Sequence, residues 1–140
     1  MSRAAAAVSY FNEGCNCAQA VISSYCDEWG LDRGTAVKLA SAFGGGMGRM
    51  GEVCGAVTGA LMLIGLQYSP AAQTKDELYE LVQQFTADFK ARHGSIYCKE
   101  LIGTEIITAE SRKLAADKFK NICPVLVEDA VKILEHIPVK

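Results

Sequence analysis

The chain has 140 residues, half of them hydrophobic, which is the usual size of one domain and enough to bury a single sizeable core. Its 14 basic and 16 acidic residues give a net charge of −2 without long single-sign runs, which argues against a nucleic-acid-binding surface. The single tryptophan, Trp29, and the scattered aromatic residues also argue against a platform for stacking bases.

Two stretches of the chain indicate where in the cell the protein is expected. They are the amino-terminal residues and the most apolar stretch. Residues 1–4 begin a short alanine run that is too small for the apolar part of a secretory signal, so we expect a cytoplasmic protein. The stretch from Val53 to Leu66 is shorter than the ~20 residues that a membrane span requires. It predicts a buried core helix, and we expect no membrane span.

Apolar residues recur at helical spacing along nearly the whole chain, and the alternation typical of strands is hard to find. The first two predicted helices are defined by two apolar stripes: Ala4, Ala7, Val8 and Phe11, then Ala18, Val21, Ile22, Tyr25 and Trp29. Asp32 predicts the start of a third helix, which ends at the glycine cluster 44–46.

The second half of the chain continues the helical pattern. A fourth helix is predicted from near Glu52 to about residue 67, and a fifth from the capping box formed by Thr74 and Glu77 to Gly94. The stretch 97–107 suits either a short helix or a loop. A short helix is predicted over 109–119 and a last one from Pro124. The prediction is an all-α single domain spanning 1–140, a compact bundle of about six or seven helices.

Three of the six cysteines lie at predicted helix amino termini. Cys17 follows the capping residue Asn16, Cys54 follows a glycine-rich segment, and Cys123 directly precedes Pro124. Free backbone N–H groups and the positive end of the helix dipole favour an anion there, so these thiols should ionise more readily than an ordinary cysteine. The thiolate is both the nucleophile and the metal ligand, which makes redox or metal chemistry the leading question.

The other three cysteines do not share one predicted position or role. Cys98 has Arg92, His93 and Lys99 close in sequence, and their charge would favour a thiolate. We interpret Cys26 as a small buried hydrophobe, the commonest role of an unpaired cysteine. Cys15 is either a resolving thiol for Cys17 or incidental, because a Cys-x-Cys disulfide is strained.

The glycine-rich segment before Cys54 contains Gly46-x-Gly48-x-x-Gly51, the spacing of a dinucleotide-binding fingerprint. That fingerprint must follow a strand, and here a predicted helix precedes it, so nucleotide binding is disfavoured. We expect a flexible turn whose N–H groups face a thiolate or an anion, lined by Met47 and Met50, with Arg49 adding positive charge.

The segment Cys54-Gly55-Ala56-Val57-Thr58-Gly59, with Cys17 before it and Cys98 and Cys123 after it, resembles the defining pattern of the C_GCAxxG_C_C family of redox-active proteins. The resemblance covers nearly the whole chain and implies a redox role for these four cysteines. Gly55, Ala56 and Gly59 are the candidate cofactor-contacting residues of the motif, although tight helix packing is their primary expected role.

Three hypotheses follow for the four cysteines. In the first, they carry out thiol/disulfide exchange as an oxidoreductase or electron carrier, with Cys54 as nucleophile and a redox partner protein or a small thiol as partner. In the second, all four thiolates bind zinc or an iron–sulfur cluster, although the chain lacks a local Cys-x-x-Cys. In the third, the chain is a non-enzymatic interaction module that can form a homodimer.

Overall fold

The computed structural model describes residues 1–68 and 74–137, and this part of the chain forms one helical bundle. Its right-handed helices are α1 (Arg3–Asn12), α2 (Cys17–Ser23), α3 (Arg33–Ala40), α4 (Gly55–Tyr68), α5 (Lys75–His93), α6 (Cys98–Ile102), α7 (Ala109–Leu114) and α8 (Ala116–Glu135). Six of these helices have at least seven residues, and the described residues contain no strand beyond a single isolated bridge. The predicted all-α bundle of about six or seven helices is confirmed.

The helices of the described residues vary in length and in apolar character. None of them combines the length and the apolar character that a bilayer crossing needs. The apolar α4 is instead buried in the bundle.

The short helix α2 lies at the centre of the bundle, where it contacts α1, α3, α4 and α8. Its side chains Ala18, Ala20, Val21 and Ile22 are buried. Helix α4 crosses it closely because Gly59 has no side chain: a Cβ there would lie 2.7 Å from the Ala18 carbonyl oxygen. Small residues on both helices thus bring the amino termini of α2 and α4 together.

Several predicted boundaries differ from the structure. Helix α2 ends at Ser23, six residues before Trp29, and the chain continues in turns where Tyr25 and Trp29 stack with ring centroids 4.5 Å apart. The undecided stretch 97–107 begins with α6, which stops at Gly103 in a left-handed conformation (φ 88°). The fifth helix ends before Gly94 as predicted, with Thr74 accepting the Glu77 N–H at its start.

The prediction that the last helix begins at Pro124 is wrong. Helix α8 runs from residue 116 to residue 135 with Pro124 inside it, and the preceding short helix ends at Leu114. Proline removes one N–H from the helical hydrogen-bond ladder, which ordinarily favours a helix boundary. Here one apolar face continues through it, with Cys123, Leu126 and Val127 buried against the bundle, and tertiary packing prevails.

Candidate functional site

The cysteines Cys17, Cys54, Cys98 and Cys123 line a single cavity of about 880 Å³. Their side chains are buried, none exceeding 9% exposure, and all of them are free thiols. Cys15 and Cys26 are also free, but neither lines the cavity. Cys17 and Cys123, which are more than a hundred positions apart in sequence, therefore line the same cavity. The sequence alone could not show this.

Cys54 lies immediately before α4, where its carbonyl oxygen accepts the first helical bonds from the Val57 N–H (2.9 Å) and the Thr58 N–H (3.1 Å). The pKa of Cys54 is lowered, first by a hydrogen bond from the Cys17 thiol and then by the backbone N–H groups of Ala56 and Val57, against the opposing effect of burial. The predicted helix-start position of Cys54 is confirmed, and it supplies donors to a thiolate.

Cys17 is the first residue of α2 and is held by a capping box, in which Asn16 accepts the Gln19 N–H (2.8 Å) and Gln19 accepts the Asn16 N–H (3.0 Å). The Asn16 amide also donates to the Ser41 carbonyl (3.2 Å), which ties this helix start to the end of α3. Interaction with Cys123 and then with Cys54, together with burial, raises the pKa of Cys17 well above its ordinary value. Cys17 is therefore held as a protonated thiol in the cavity that it shares with Cys54 and Cys123.

A short antiparallel contact joins Cys54 to Cys98. The Cys54 N–H donates to the Ile96 carbonyl and the Cys98 N–H donates to the Glu52 carbonyl, each at 2.7 Å, on either side of the Val53–Tyr97 bridge. Cys98 then begins α6. Burial, followed by the nearby Cys54 and Cys123, raises the pKa of Cys98 to about 12, so the expected thiolate-favouring effect of nearby basic residues does not prevail.

Cys123 lies in the middle of α8, since that helix begins at residue 116. The N–H groups around it are used by the helix interior, so the predicted helix-start stabilisation of its thiolate does not apply. Its side chain nevertheless lines the same cavity as Cys17. The role of Cys123 in a shared site stays a prediction, while the local reason given for it, a helix start at Pro124, is wrong.

The segment before Cys54 is an ordered left-handed turn. Residues 45–49 all have positive φ between 63° and 68°, including the non-glycine residues Met47 and Arg49. The Gly51 N–H donates to the Gly45 carbonyl (3.1 Å) and the Glu52 N–H to the Gly46 carbonyl (2.9 Å), which fixes the turn. A Cβ on Gly46 would lie 2.6 Å from the Cβ of Cys98, so glycine here lets the turn approach Cys98.

The motif residues after Cys54 divide between cavity and packing. Gly55 lines the cavity and also abuts Cys17, because a Cβ on it would lie 3.0 Å from the Cys17 Cβ. Ala56 is buried and directs its N–H to Cys54. Gly59 packs against Ala18 and is not among the residues that line the cavity. The motif residues therefore pack the start of α4 against the start of α2, which brings Cys54 close to Cys17.

The cavity wall also carries positive charge, which the sequence reading anticipated only at Arg49. Arg112 and Lys113 of α7 line it too, and no aspartate or glutamate is among the lining residues described. The methionines of the glycine-rich turn, Met47 and Met50, are exposed and do not line it. No local motif marks Arg112 or Lys113, since only the fold brings α7 to the cysteines.

Cysteine thiolates of the kind found in the cavity are ligands that zinc and iron–sulfur clusters use. In residues 1–68 and 74–137, no three or more histidine, cysteine, aspartate or glutamate side chains are grouped so as to hold a metal ion. In this arrangement the described thiols do not form a ligand set for a single metal ion such as zinc. His93 Nε2 lies 2.9 Å from Asp129 Oδ2, between α5 and α8 and outside the cavity wall.

A family model described as "Putative redox-active protein (C_GCAxxG_C_C)" matches residues 15–137 of the chain. No curated protein and no solved structure matches the chain significantly.

Proposed function

Because this chain belongs to the C_GCAxxG_C_C family of redox-active proteins, we propose that it carries out thiol/disulfide exchange with Cys54 as the nucleophile and Cys17 as the resolving thiol. The observation that carries the proposal is the close approach of these two residues at adjoining helix starts, where both line one cavity and a Cβ on Gly55 would lie 3.0 Å from the Cys17 Cβ. One thiol is stabilised as a thiolate while its neighbour remains protonated, which is the asymmetry that nucleophilic exchange uses.

The exchange proceeds in two balanced steps. The Cys54 thiolate attacks one sulfur of a substrate disulfide, so that a Cys54–substrate disulfide forms, the substrate S–S bond breaks, and one substrate thiolate leaves and takes up a proton. Cys17 then loses its proton to solvent and attacks the Cys54 sulfur, which forms the Cys17–Cys54 disulfide and releases the second substrate thiolate. The protein loses two electrons and the substrate disulfide gains them.

The electrostatics of the pair support this order of steps. Cys54 contributes to the raised pKa of Cys17 both by hydrogen bonding and by its negative charge. Once Cys54 is covalently linked to the substrate it carries no charge, and this part of the rise disappears. Cys17 therefore ionises more readily when the mixed disulfide has formed, which is when its attack is needed.

The other two cavity cysteines have secondary roles in the proposal. Cys123 interacts with Cys17, so it is placed to exchange with the Cys17 sulfur of the finished disulfide and release Cys54. Cys98 lines the same cavity, and its pKa of about 12 keeps it a thiol during the first steps.

Mapping the first disulfide tests the proposal. The reduced protein is equilibrated in glutathione buffers of increasing oxidation, quenched with acid, alkylated and digested, and each disulfide is identified by mass spectrometry. We expect the Cys17–Cys54 disulfide to appear first and to be lost in Cys17→Ser. The control is Cys26→Ala, which removes a buried thiol outside the cavity and should leave that disulfide unchanged. First oxidation at another pair, or none at all, would refute the assignment.

The metal hypothesis can be tested on the same preparations. Protein purified without oxygen is analysed for zinc, iron and acid-labile sulfide, for the wild type and for Cys54→Ser. Stoichiometric metal that is lost in the variant would make the cysteines a ligand set and would overturn the dithiol mechanism. Metal-free protein that forms the mapped disulfide would support thiol exchange.

A further inference from the structure

The walls of the cysteine cavity combine three cations with apolar side chains. Arg49, Arg112 and Lys113 line it, and no acidic side chain is among the described lining residues. The remaining walls are largely apolar, formed by these side chains: Phe11, Leu101, Ile102, Ile106, Phe119 and Leu126. A compartment with one sign of charge and low-dielectric walls concentrates ligands of the opposite sign.

The three cations differ in how they are held. Arg112 donates from one guanidinium nitrogen to the carbonyls of Ile106 (3.1 Å) and Ile107 (2.6 Å), so its charge is fixed at the wall. Arg49 and Lys113 are exposed, and no hydrogen bond or ion pair joins either side chain to another described residue. Their donors are available to a ligand.

The burial of the sulfurs favours a small ligand over a protein disulfide. None of the four cavity cysteines is more than 9% exposed, so the reacting bond must enter the cavity to reach Cys54. The volume of about 880 Å³ lies within the range of about 300–1,000 Å³ that is usual for sites of small molecules.

Resting on the function proposed above, we infer that the substrate of this site is a small disulfide carrying carboxylate groups, held by Arg49 and Lys113 while its sulfurs meet Cys54. Arginine and lysine are the side chains that bind carboxylates by charge-assisted hydrogen bonds. The apolar walls accommodate the aliphatic chain between the carboxylates and the sulfurs.

Three small disulfides of different charge test this inference. The reduced protein is oxidised by dithiodipropionate (anionic), hydroxyethyl disulfide (neutral) and cystamine (cationic), and formation of the Cys17–Cys54 disulfide is followed after an acid quench. We expect the anionic probe to react fastest and the cationic probe slowest. In the Arg49→Gln/Lys113→Gln double variant, the rate with dithiodipropionate should fall at least about tenfold, while the neutral probe changes little.

A matched variant controls for net charge. Lys75→Gln/Lys90→Gln removes two exposed lysines of α5, a helix that contributes no residue to the cavity wall, and it should leave all three rates within about twofold of the wild type. Circular dichroism melting of both double variants checks that they fold. Equal rates for the three probes, or an unchanged preference in Arg49→Gln/Lys113→Gln, would overturn the inference.

A non-reacting probe separates this inference from the proposed exchange chemistry. Suberate has the length and charge of dithiodipropionate without the disulfide, and suberamide is its neutral counterpart. Suberate should slow alkylation of the cavity cysteines and suberamide should not. Suberate protection without oxidation by any disulfide would refute the exchange chemistry and retain the anion site. Oxidation without charge preference or suberate protection would refute only the anion site.

Discussion

Gly55 lies directly against Cys17: a Cβ at position 55 would be 3.0 Å from the Cys17 Cβ and 2.9 Å from the backbone nitrogen of Ala18. The second of these neighbours is backbone at a capped helix start, which has little freedom to move. The contact places Cys17 beside Cys54, the residue before Gly55. The glycine after Cys54 therefore sets the distance between two helix starts.

We predict that Gly55→Ala is destabilising although alanine is the better helix former. The added methyl forces α2 and α4 apart, which should cost about 1–3 kcal/mol in the free energy of unfolding and reduce formation of the Cys17–Cys54 disulfide. Gly65→Ala in the same helix is the control, because nothing lies within 4 Å of its Cβ position. It should gain about 0.5–1 kcal/mol. Urea unfolding measures both, and equal effects would disprove the packing argument.

Gly46→Ala should be more damaging than an ordinary substitution at positive φ. Its φ is 68°, and a Cβ there would lie 2.6 Å from the Cβ of Cys98 and 2.7 Å from the Glu52 nitrogen. Strain and overlap together should cost about 3 kcal/mol or more. Gly30→Ala, with φ 87° and no atom within 4 Å, should lose only about 1 kcal/mol. If urea unfolding shows similar losses of stability for the two variants, the turn at Gly46 can shift away from Cys98 and the overlap argument is wrong.

The pH dependence of alkylation should separate Cys54 from Cys98. A thiolate reacts and a thiol does not, so the rate rises about tenfold per pH unit below the pKa and is constant above it. Because the pKa of Cys54 is lowered from 9.0, its rate should level off below pH 9. Because the pKa of Cys98 is raised to about 12, its rate should still be rising at pH 10.

Iodoacetamide labelling followed by mass spectrometry gives a separate pH profile for each cysteine. Comparing the midpoint of each profile, rather than the rates of different residues, removes the effect of unequal burial. A Cys54 profile that still rises above pH 9 would contradict its assignment as the stabilised thiolate.

Pro124→Ala should stabilise the protein. Proline inside α8 leaves a helical carbonyl one turn earlier without its N–H donor, and alanine restores that donor. The free energy of unfolding should rise by only about 1–2 kcal/mol, because alanine also makes the unfolded chain more flexible, and this offsets part of the gain from the restored hydrogen bond. Val125→Ala, at the neighbouring position that is 49% exposed, should change stability by less than about 0.7 kcal/mol. A loss of stability in Pro124→Ala on urea unfolding would mean that packing of the ring outweighs the missing hydrogen bond.

The sequence by itself determined the helical class and much of the chemistry at the helix starts. Helical periodicity, the caps at Asn16, Asp32 and Thr74, and the glycine after α5 act within a few residues, so they can be recognised without a fold. The positions of Cys17 and Cys54 at the starts of α2 and α4 follow from the same local rules.

Only the tertiary structure decided which cysteines meet and what surrounds them. Cys123 joins Cys17 from the middle of α8 because a continuous apolar face carries that helix through Pro124, against the local preference of proline. Arg112 and Lys113 reach the cavity because α7 packs against α8. The contact between distant side chains depends on the burial of whole helix faces, which no short stretch of sequence encodes.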